Sequence, residues 1–146
     1  MSIHAIKQYQ SEVEKIIHFG GTKKETSIRN AFYHLLNEYA KQKGLMLVPE
    51  VTIKTAKGKN VTPDGTLKDW GYWESKDEAD IIDVEIEKKF SKGYPSDNII
   101  FEDSQTAVLF QNGVEVQRIK MMDAEALDRI LLSFISFERP EVRSFR

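Results

Sequence analysis

Three charged residues in the middle of the chain have the types and the spacing of a hydrolytic site. Asp64 follows a proline, and Glu74, Ser75 and Lys76 come after nine intervening residues. Because the side chains of a strand alternate, Glu74 and Lys76 would point to one face of a sheet and Ser75 to the other. A hairpin return through residues 65–71 would bring Asp64 beside this pair. Two carboxylates and one ammonium group are therefore expected to converge.

Such a convergence suits metal-assisted hydrolysis of a phosphodiester. Asp64 and Glu74 would supply hard oxygen ligands for Mg²⁺, which keeps several waters and needs only one or two protein carboxylates. The backbone carbonyl of Ser75 would add a further ligand. A bound ion lowers the pKa of a water and polarises the scissile phosphate, while Lys76 would orient the nucleophile and offset negative charge. The expected cofactor is Mg²⁺, for which Mn²⁺ would substitute.

Each of these residues also has an ordinary structural interpretation. The sequence Pro63-Asp64-Gly65 is typical of a β-turn, and Glu74 with Lys76 would suit the solvated face of a strand. Asp69 is a second choice of ligand, nearer to Glu74 but without a preceding proline. The aromatic neighbours of Glu74 favour a sheet covered on both sides, and this context favours the metal site.

Glu25 is a further candidate at the start of a predicted helix. Thr22 and Glu25 have the spacing of a capping box, in which the hydroxyl and the carboxylate each accept a hydrogen bond from a backbone N–H. The spacing of Glu25 to Ile28 and Phe32 also places it on the inward edge of the helix. A cap and an additional catalytic acid both remain open.

Two clusters of lysines could contact phosphates or simply be solvated. For the turn with Lys54, Lys57 and Lys59, both interpretations stay open. The cluster at residues 88–92 ends a predicted helix, where cations complement the helix dipole, so we interpret its lysines as solvated surface. Tyr94 is interpreted as structural.

Composition excludes several other classes of function. The 146 residues contain no cysteine, which rules out disulfide scaffolds, thiolate metal sites and cysteine nucleophiles. Phosphate-binding loops, nucleophile elbows and dinucleotide fingerprints do not occur. Because no apolar run approaches the roughly 18 residues of a membrane span, we expect a cytoplasmic protein without a membrane partner. The net charge of -2 gives no sign of a strongly basic nucleic-acid clamp.

The elements that must position these residues follow from hydrophobic spacing and turn signals. The predicted elements are helices over about 3–18, 22–44 and 77–93, strands around Pro49 and over 68–76, a hairpin at Asn112-Gly113 and a last helix capped by Asp123. We expect one α/β domain over residues 1–146, with a central mixed β-sheet flanked by helices. Within it, 1–21 would be a helix and linker, 22–137 the core, and 138–146 either a linker to a further region or a frayed terminus.

Pro63-Asp64 together with Glu74-Ser75-Lys76 resembles the PD-(D/E)xK signature of a nuclease superfamily whose fold is shared by many restriction endonucleases. More narrowly, residues 71–77, 92–98 and 111–113 resemble the N-terminal nuclease domain of large single-chain, type ISP-like restriction–modification enzymes. The resemblance implies a restriction-endonuclease-like core and Mg²⁺-dependent cutting of double-stranded DNA. It also implies catalytic roles for Asp64, Glu74 and Lys76, and for Glu25 as the additional acid.

The same resemblance implies translocase, methyltransferase and target-recognition regions elsewhere on a longer chain. One alternative is a stand-alone nuclease of the same fold, of a repair or methyl-directed type. Another is a catalytically silent DNA-binding or scaffold module. Metal binding separates the last class from the first two, since a silent module has no use for three converging charges.

Overall fold

The computed structural model describes residues 3–20 and 24–138, which form an α/β fold. Its helices are α1 (Ile3–Phe19), α2 (Lys24–Lys41), α3 (Ile82–Ser91) and α4 (Ala124–Ile135). Its strands are β1 (Leu47–Pro49), β2 (Ile53–Lys54), β3 (Asn60–Val61), β4 (Gly65–Leu67), β5 (Gly71–Ser75), β6 (Asn98–Glu102), β7 (Thr106–Gln111) and β8 (Val114–Lys120).

Six strands form the central sheet, in the order β1-β4-β5-β6-β7-β8. All neighbouring pairs in this sheet are antiparallel except β5 and β6, which are parallel and are connected through α3. Strands β2 and β3 pair separately as a small antiparallel hairpin. The predicted central mixed sheet flanked by helices is therefore confirmed.

Each face of the sheet has its own hydrophobic core. On one face, α1, α2 and α4 pack against the sheet around Phe32, Trp73 and Phe134. On the other face, α3 covers the sheet around Ile86 and Phe101. Covering both faces leaves the two central parallel strands almost without exposed side chains, so a charged group on either strand is enclosed by protein.

Strand β6 was not predicted, because it lacks the alternation by which a strand is recognised. All five of its residues, Asn98–Glu102, are buried. A parallel strand covered on both faces has a nearly continuous apolar sequence instead of a period of two. The strand completes a β-α-β unit in which β5 and β6 end at the same edge of the sheet.

Helix α3 begins at Ile82, five residues later than predicted. The acidic residues that precede it form a turn instead, in which the Asp77 side chain accepts a hydrogen bond from Ala79 N at 3.0 Å and the Asp77 carbonyl accepts one from Asp80 N. An aspartate that bonds backbone amides two residues ahead competes with helix formation. Strand β5 likewise begins at Gly71, because residues 68–70 form a turn.

The other predicted elements agree with the structure. Helix α2 buries the predicted stripe, the hairpin turns at Asn112-Gly113, and Asp123 caps α4 by accepting a hydrogen bond from Ala126 N. The capping box predicted at Thr22 lies outside the described residues. None of the helices in the described ranges is long and apolar enough to cross a bilayer.

Candidate active site

Asp64 and Glu74 lie together because β4 and β5 are antiparallel neighbours. The register pairs Gly65 with Trp73, which leaves Asp64 and Glu74 facing each other just beyond the paired segment. The Asp64 amide donates to Glu74 Oε1 at 3.1 Å, and the Ser75 amide donates to Asp64 Oδ2 at 2.8 Å. Each carboxylate is thus held by the backbone of the opposite strand.

The glycine next to Asp64 allows this close approach. A Cβ atom at Gly65 would lie 2.8 Å from the indole ring of Trp73 and 2.9 Å from the Leu47 side chain. Real Cβ atoms do not come so close to their neighbours, so only glycine fits between them. The packing of Trp73 across this glycine holds β4 against β5 at the position from which Asp64 extends.

Glu74 is a buried carboxylate with two ammonium partners. Its residue is 4% exposed, and its Oε2 lies 3.0 Å from Lys89 Nζ and 3.5 Å from Lys76 Nζ. Burial and the neighbouring Asp64 charge raise the pKa of Glu74, while the two lysines oppose that rise. A net upward shift despite two cations shows that this carboxylate lacks the positive charge needed to offset its burial.

Lys76 lies on the α3 face of the sheet, as the alternation along β5 predicts. Its ammonium also lies 3.6 Å from Glu85 Oε1 of α3, so it bridges two carboxylates. Its backbone amide donates to the Glu102 carbonyl at 2.8 Å, which anchors this end of β5 to β6. The structure therefore brings Asp64, Glu74 and Lys76 together at one end of the sheet.

The prediction that Lys89 is solvated is wrong. Its side chain is 16% exposed and pairs with Glu74, whereas we expected it to be solvated like Lys88, whose side chain is 62% exposed. Lys89 follows Ile86 by three residues, so helical periodicity places it on the buried face of α3. That signal was present in the sequence and was outweighed by the ordinary preference for lysines at a helix C-terminus.

Tyr94 is buried beside Lys89, as its structural interpretation requires. The Lys89 ammonium lies 5.1 Å from the centre of the tyrosine ring, within the range of a cation–π contact. Burial raises the pKa of the Tyr94 hydroxyl, and the charge of Glu74 adds to that rise. The tyrosine therefore stays protonated and forms one wall of the site.

Glu25 lies near the site but does not contact Asp64 or Glu74. It is exposed, contrary to the expected inward position, and lines a cavity of about 250 Å³ together with Ser75, Lys76 and Asp77. A hydrogen bond to Asp77 raises the pKa of Glu25, and the charge of Asp77 adds to the rise. Asp69 lies in the turn at the opposite end of the β4–β5 hairpin, away from Glu74.

Sequence reasoning also missed Glu102, a fully buried carboxylate at the end of β6. It accepts hydrogen bonds from Trp73 Nε1 at 3.1 Å and from the Ser104 amide at 2.8 Å. Burial raises the pKa of Glu102 to about 7, against the lowering effect of these donors and of Ser75. The residue is the last of the unpredicted strand β6, so no periodic signal pointed to it.

The donor atoms fit a hard divalent cation that keeps most of its waters. Within the described ranges, no group of three or more acidic or histidine side chains is arranged as a metal site, so an ion here would rely on Asp64 and Glu74. The N–H and C=O of one strand residue point to the same neighbouring strand, which directs the Ser75 carbonyl toward Asp64. Two carboxylates and one carbonyl suffice for Mg²⁺ or Mn²⁺.

Asp64 is also accessible from outside. It lines a groove of about 460 Å³ between α2 and the edge of the sheet, together with Arg29, Tyr33 and Trp73. Arg29 lines the cavity beside Glu25 as well. An anionic group that entered this groove would lie close to both the Arg29 guanidinium and the Asp64 carboxylate.

Comparison with known proteins gave a match among solved structures. No protein-family model and no curated protein sequence matches the chain. The chain is similar to a chain in the cryo-EM structure of a DrdV–DNA complex, with a TM-score of 0.92 and 55% sequence identity. The match covers 99% of this chain and 15% of that one, so the shared fold corresponds to a small part of a much longer protein.

Proposed function

We propose that this chain is a Mg²⁺-dependent DNA endonuclease module of the PD-(D/E)xK type, belonging to a restriction–modification enzyme. The observation that carries the proposal is the pairing of Asp64 with buried Glu74 at the ends of adjacent strands, beside Lys76. In this assignment Asp64, Glu74 and the Ser75 carbonyl hold the ion. When bound, the ion would lower the pKa of a water molecule and polarise the scissile phosphate.

The protein side chains have separate roles in the proposed reaction. The Lys76 ammonium lies beside the proposed ion ligands, where it positions the attacking water and offsets negative charge on the phosphate. Glu85 holds that ammonium from the other side. Glu25 lines the same cavity as Lys76 and would act as an additional acid. Arg29, at the groove that leads to Asp64, would contact a neighbouring phosphate.

The similarity to a DNA-bound protein supports double-stranded DNA as the partner. Over this chain's length, the DrdV–DNA complex contains a closely similar fold at 55% identity. Because that chain is far longer, we propose that translocase, methyltransferase and target-recognition regions accompany this module. Sequence selection would then reside outside this chain, and the module itself would cut the DNA that the other regions deliver.

The burial of Glu74 argues against a catalytically silent module. Removing a carboxylate and its lysine partners from water costs several kcal/mol per ion, which well-packed apolar residues would avoid. A scaffold gains nothing from that cost. A site that must bind a cation and a phosphate has a use for it.

Cleavage of supercoiled plasmid by micromolar protein tests the proposal. We expect nicking with Mg²⁺ or Mn²⁺ and none with EDTA, and a loss of about a hundred- to a thousand-fold in rate for Lys76→Ala. Lys43→Ala is the matched control: Lys43 is exposed and follows the C-terminal end of α2, whereas the N-terminal end of α2 lies beside the site. Wild-type protein that never nicks DNA, or Lys76→Ala protein that cuts at the wild-type rate with an unchanged melting curve, would contradict the proposal.

A further inference from the structure

We infer that Lys89 is an internal counterion that neutralises Glu74 until a divalent cation binds, and that the cation then displaces it toward the scissile phosphate. This inference rests on the proposed function, because it assigns a second cationic group to the same site. It concerns a residue that lies outside the Asp64, Glu74 and Lys76 constellation, contributed by α3 instead of the sheet.

The contact between Lys89 and Glu74 has the features of a built ion pair. Lys89 Nζ and Glu74 Oε2 lie 3.0 Å apart, and the side chains of Lys89 and Glu74 are 16% and 5% exposed. An exposed pair of this kind would contribute little, but an unpaired carboxylate at the Glu74 position would be strongly destabilising. Lys89 therefore supplies, together with Lys76, the positive charge that Glu74 needs when no metal ion is bound.

The charges of the site explain why Lys89 and a divalent cation would compete for Glu74. Asp64, Glu74 and Glu85 carry three negative charges, and Lys76 and Lys89 carry two positive charges, so the site has one excess negative charge. A divalent cation at Asp64 and Glu74 would turn this excess into one positive charge, and it would approach Glu74 Oε2, the oxygen that Lys89 contacts. A cation bound to Glu74 would repel the Lys89 ammonium strongly, because both would lie next to the same oxygen in a partly desolvated site. Cation binding and the contact between Lys89 and Glu74 must therefore compete.

Lys89 is better suited to move than Lys76. Lys76 has a second carboxylate, Glu85, which lies 3.6 Å from its ammonium. Within the described residues, Lys89 forms an ion pair with Glu74 alone, and its other partner is the ring of Tyr94. An aromatic ring tolerates lateral movement of an ammonium group and provides a second favourable position. A phosphate oxygen arriving with the DNA would replace Glu74 as the anionic partner.

A purely structural ion pair predicts a different outcome from this competition. If Lys89 only stabilised the fold, its removal would lower the melting temperature and leave the affinity for cations unchanged. If Lys89 competes with the cation, its removal raises that affinity. The two effects are measured separately, so a stability change does not obscure the result.

Calorimetric titration of Mn²⁺ into the chain tests the inference. We expect Lys89→Met to bind Mn²⁺ at least tenfold more tightly than wild type, and Lys89→Arg, which keeps the charge, to stay near wild type. Lys92→Met is the matched control: it removes one charge at the exposed end of α3 and should change the affinity less than twofold. At saturating Mn²⁺, Lys89→Met should nevertheless cut plasmid at least tenfold more slowly.

The outcomes separate this inference from the proposed function. Wild-type protein that binds no Mn²⁺ would overturn both. Wild-type binding with unchanged or weaker affinity in Lys89→Met would overturn the inference alone and leave Lys89 as a structural residue. Should Lys89→Met fail to fold, Lys89→Gln keeps a hydrogen-bond donor to Glu74 and must show the same increase in affinity.

Discussion

At the scale of single residues, the site depends on carboxylates whose environments differ. Glu74 accepts a backbone hydrogen bond through one oxygen and contacts two ammonium groups through the other. Asp64 is half-buried and open to a groove. Glu25 is exposed and hydrogen-bonded to Asp77, and Glu102 is buried at the end of β6, where it lines the same cavity as Glu25. Only the first two are adjacent, which is why we assign the cation to them.

Glu25→Gln distinguishes a catalytic acid from a residue of local structure. The amide can still donate a hydrogen bond to Asp77, so the melting temperature should stay unchanged. If Glu25 acts in catalysis, the loss of its carboxylate should slow plasmid cleavage at least tenfold under the same conditions. Wild-type cleavage by the Glu25→Gln protein would remove Glu25 from the active site.

Glu102 should make the stability of the metal-free protein depend on pH. Its folded pKa of about 7 lies above the ordinary value of 4.5, so folding favours the protonated form. The stabilisation is complete below pH 4.5 and is lost as the pH rises through 7, a decline of about 3 kcal/mol. Urea unfolding of wild type and Glu102→Gln in EDTA, at pH 5 and pH 8, measures it. The decline should be smaller by this amount in the variant, because the raised pKa of Glu74 contributes equally to both proteins. Parallel pH profiles would show that Glu102 stays ionised in the fold.

At the scale of elements, the β4–β5 hairpin determines the geometry of the site. Its register places Asp64 against Glu74, and β6 beside it anchors the other edge of β5. Helix α3 packs against one face of the sheet and places Lys89 beside Glu74 and Glu85 beside Lys76. Residues from the hairpin and from α3 therefore meet at one end of the sheet.

Gly65→Ala tests the dependence of the site on the hairpin. The added methyl group would overlap the Trp73 ring and the Leu47 side chain, and overpacking of this kind costs about 1–3 kcal/mol. Chemical unfolding should show this loss. Because Trp73 must shift, the affinity for Mn²⁺ should fall too. Unchanged stability would mean that β4 can move away from β5 without cost, and that the close packing does not fix Asp64.

The elements differ in how well the sequence predicted them. The alternation along β5 and the hairpin return through residues 65–71 were sufficient to predict that Asp64, Glu74 and Lys76 converge. Strand β6 was missed because burial on both faces removes alternation, and Lys89 was misinterpreted because a lysine near a helix end has two physical explanations. Choosing between them required knowing that Glu74 lies across from α3, which is a tertiary contact.

At the scale of the whole molecule, the balance of charge is unfavourable for DNA binding. The net charge is -2. Lys54, Lys57 and Lys59 of the small β2–β3 hairpin are exposed, and within the described ranges none of them forms an ion pair. They are the best candidates for phosphate contacts beside the site, but three lysines neutralise few phosphates. The proposed nuclease module would therefore need other regions to select a sequence.

We therefore expect the chain alone to bind duplex DNA weakly and without sequence preference. Dissociation constants of about 10⁻⁴ to 10⁻⁶ M are typical of such electrostatic binding near physiological salt. Fluorescent duplexes of several sequences, titrated at several salt concentrations in EDTA, measure the affinity and its salt dependence. Nanomolar binding that differs between sequences would contradict the proposal that this module depends on other regions to select DNA, and would favour a self-sufficient enzyme.

The most direct test of the central claim is a crystal structure of the chain soaked in Mn²⁺, with anomalous scattering used to locate the ion. We predict a peak between the Asp64 and Glu74 carboxylates, within bonding distance of the Ser75 carbonyl. Lys89 Nζ should lie farther from Glu74 than its present 3.0 Å. A peak elsewhere, such as between Glu25 and Asp77, or no peak at saturating Mn²⁺, would contradict the account.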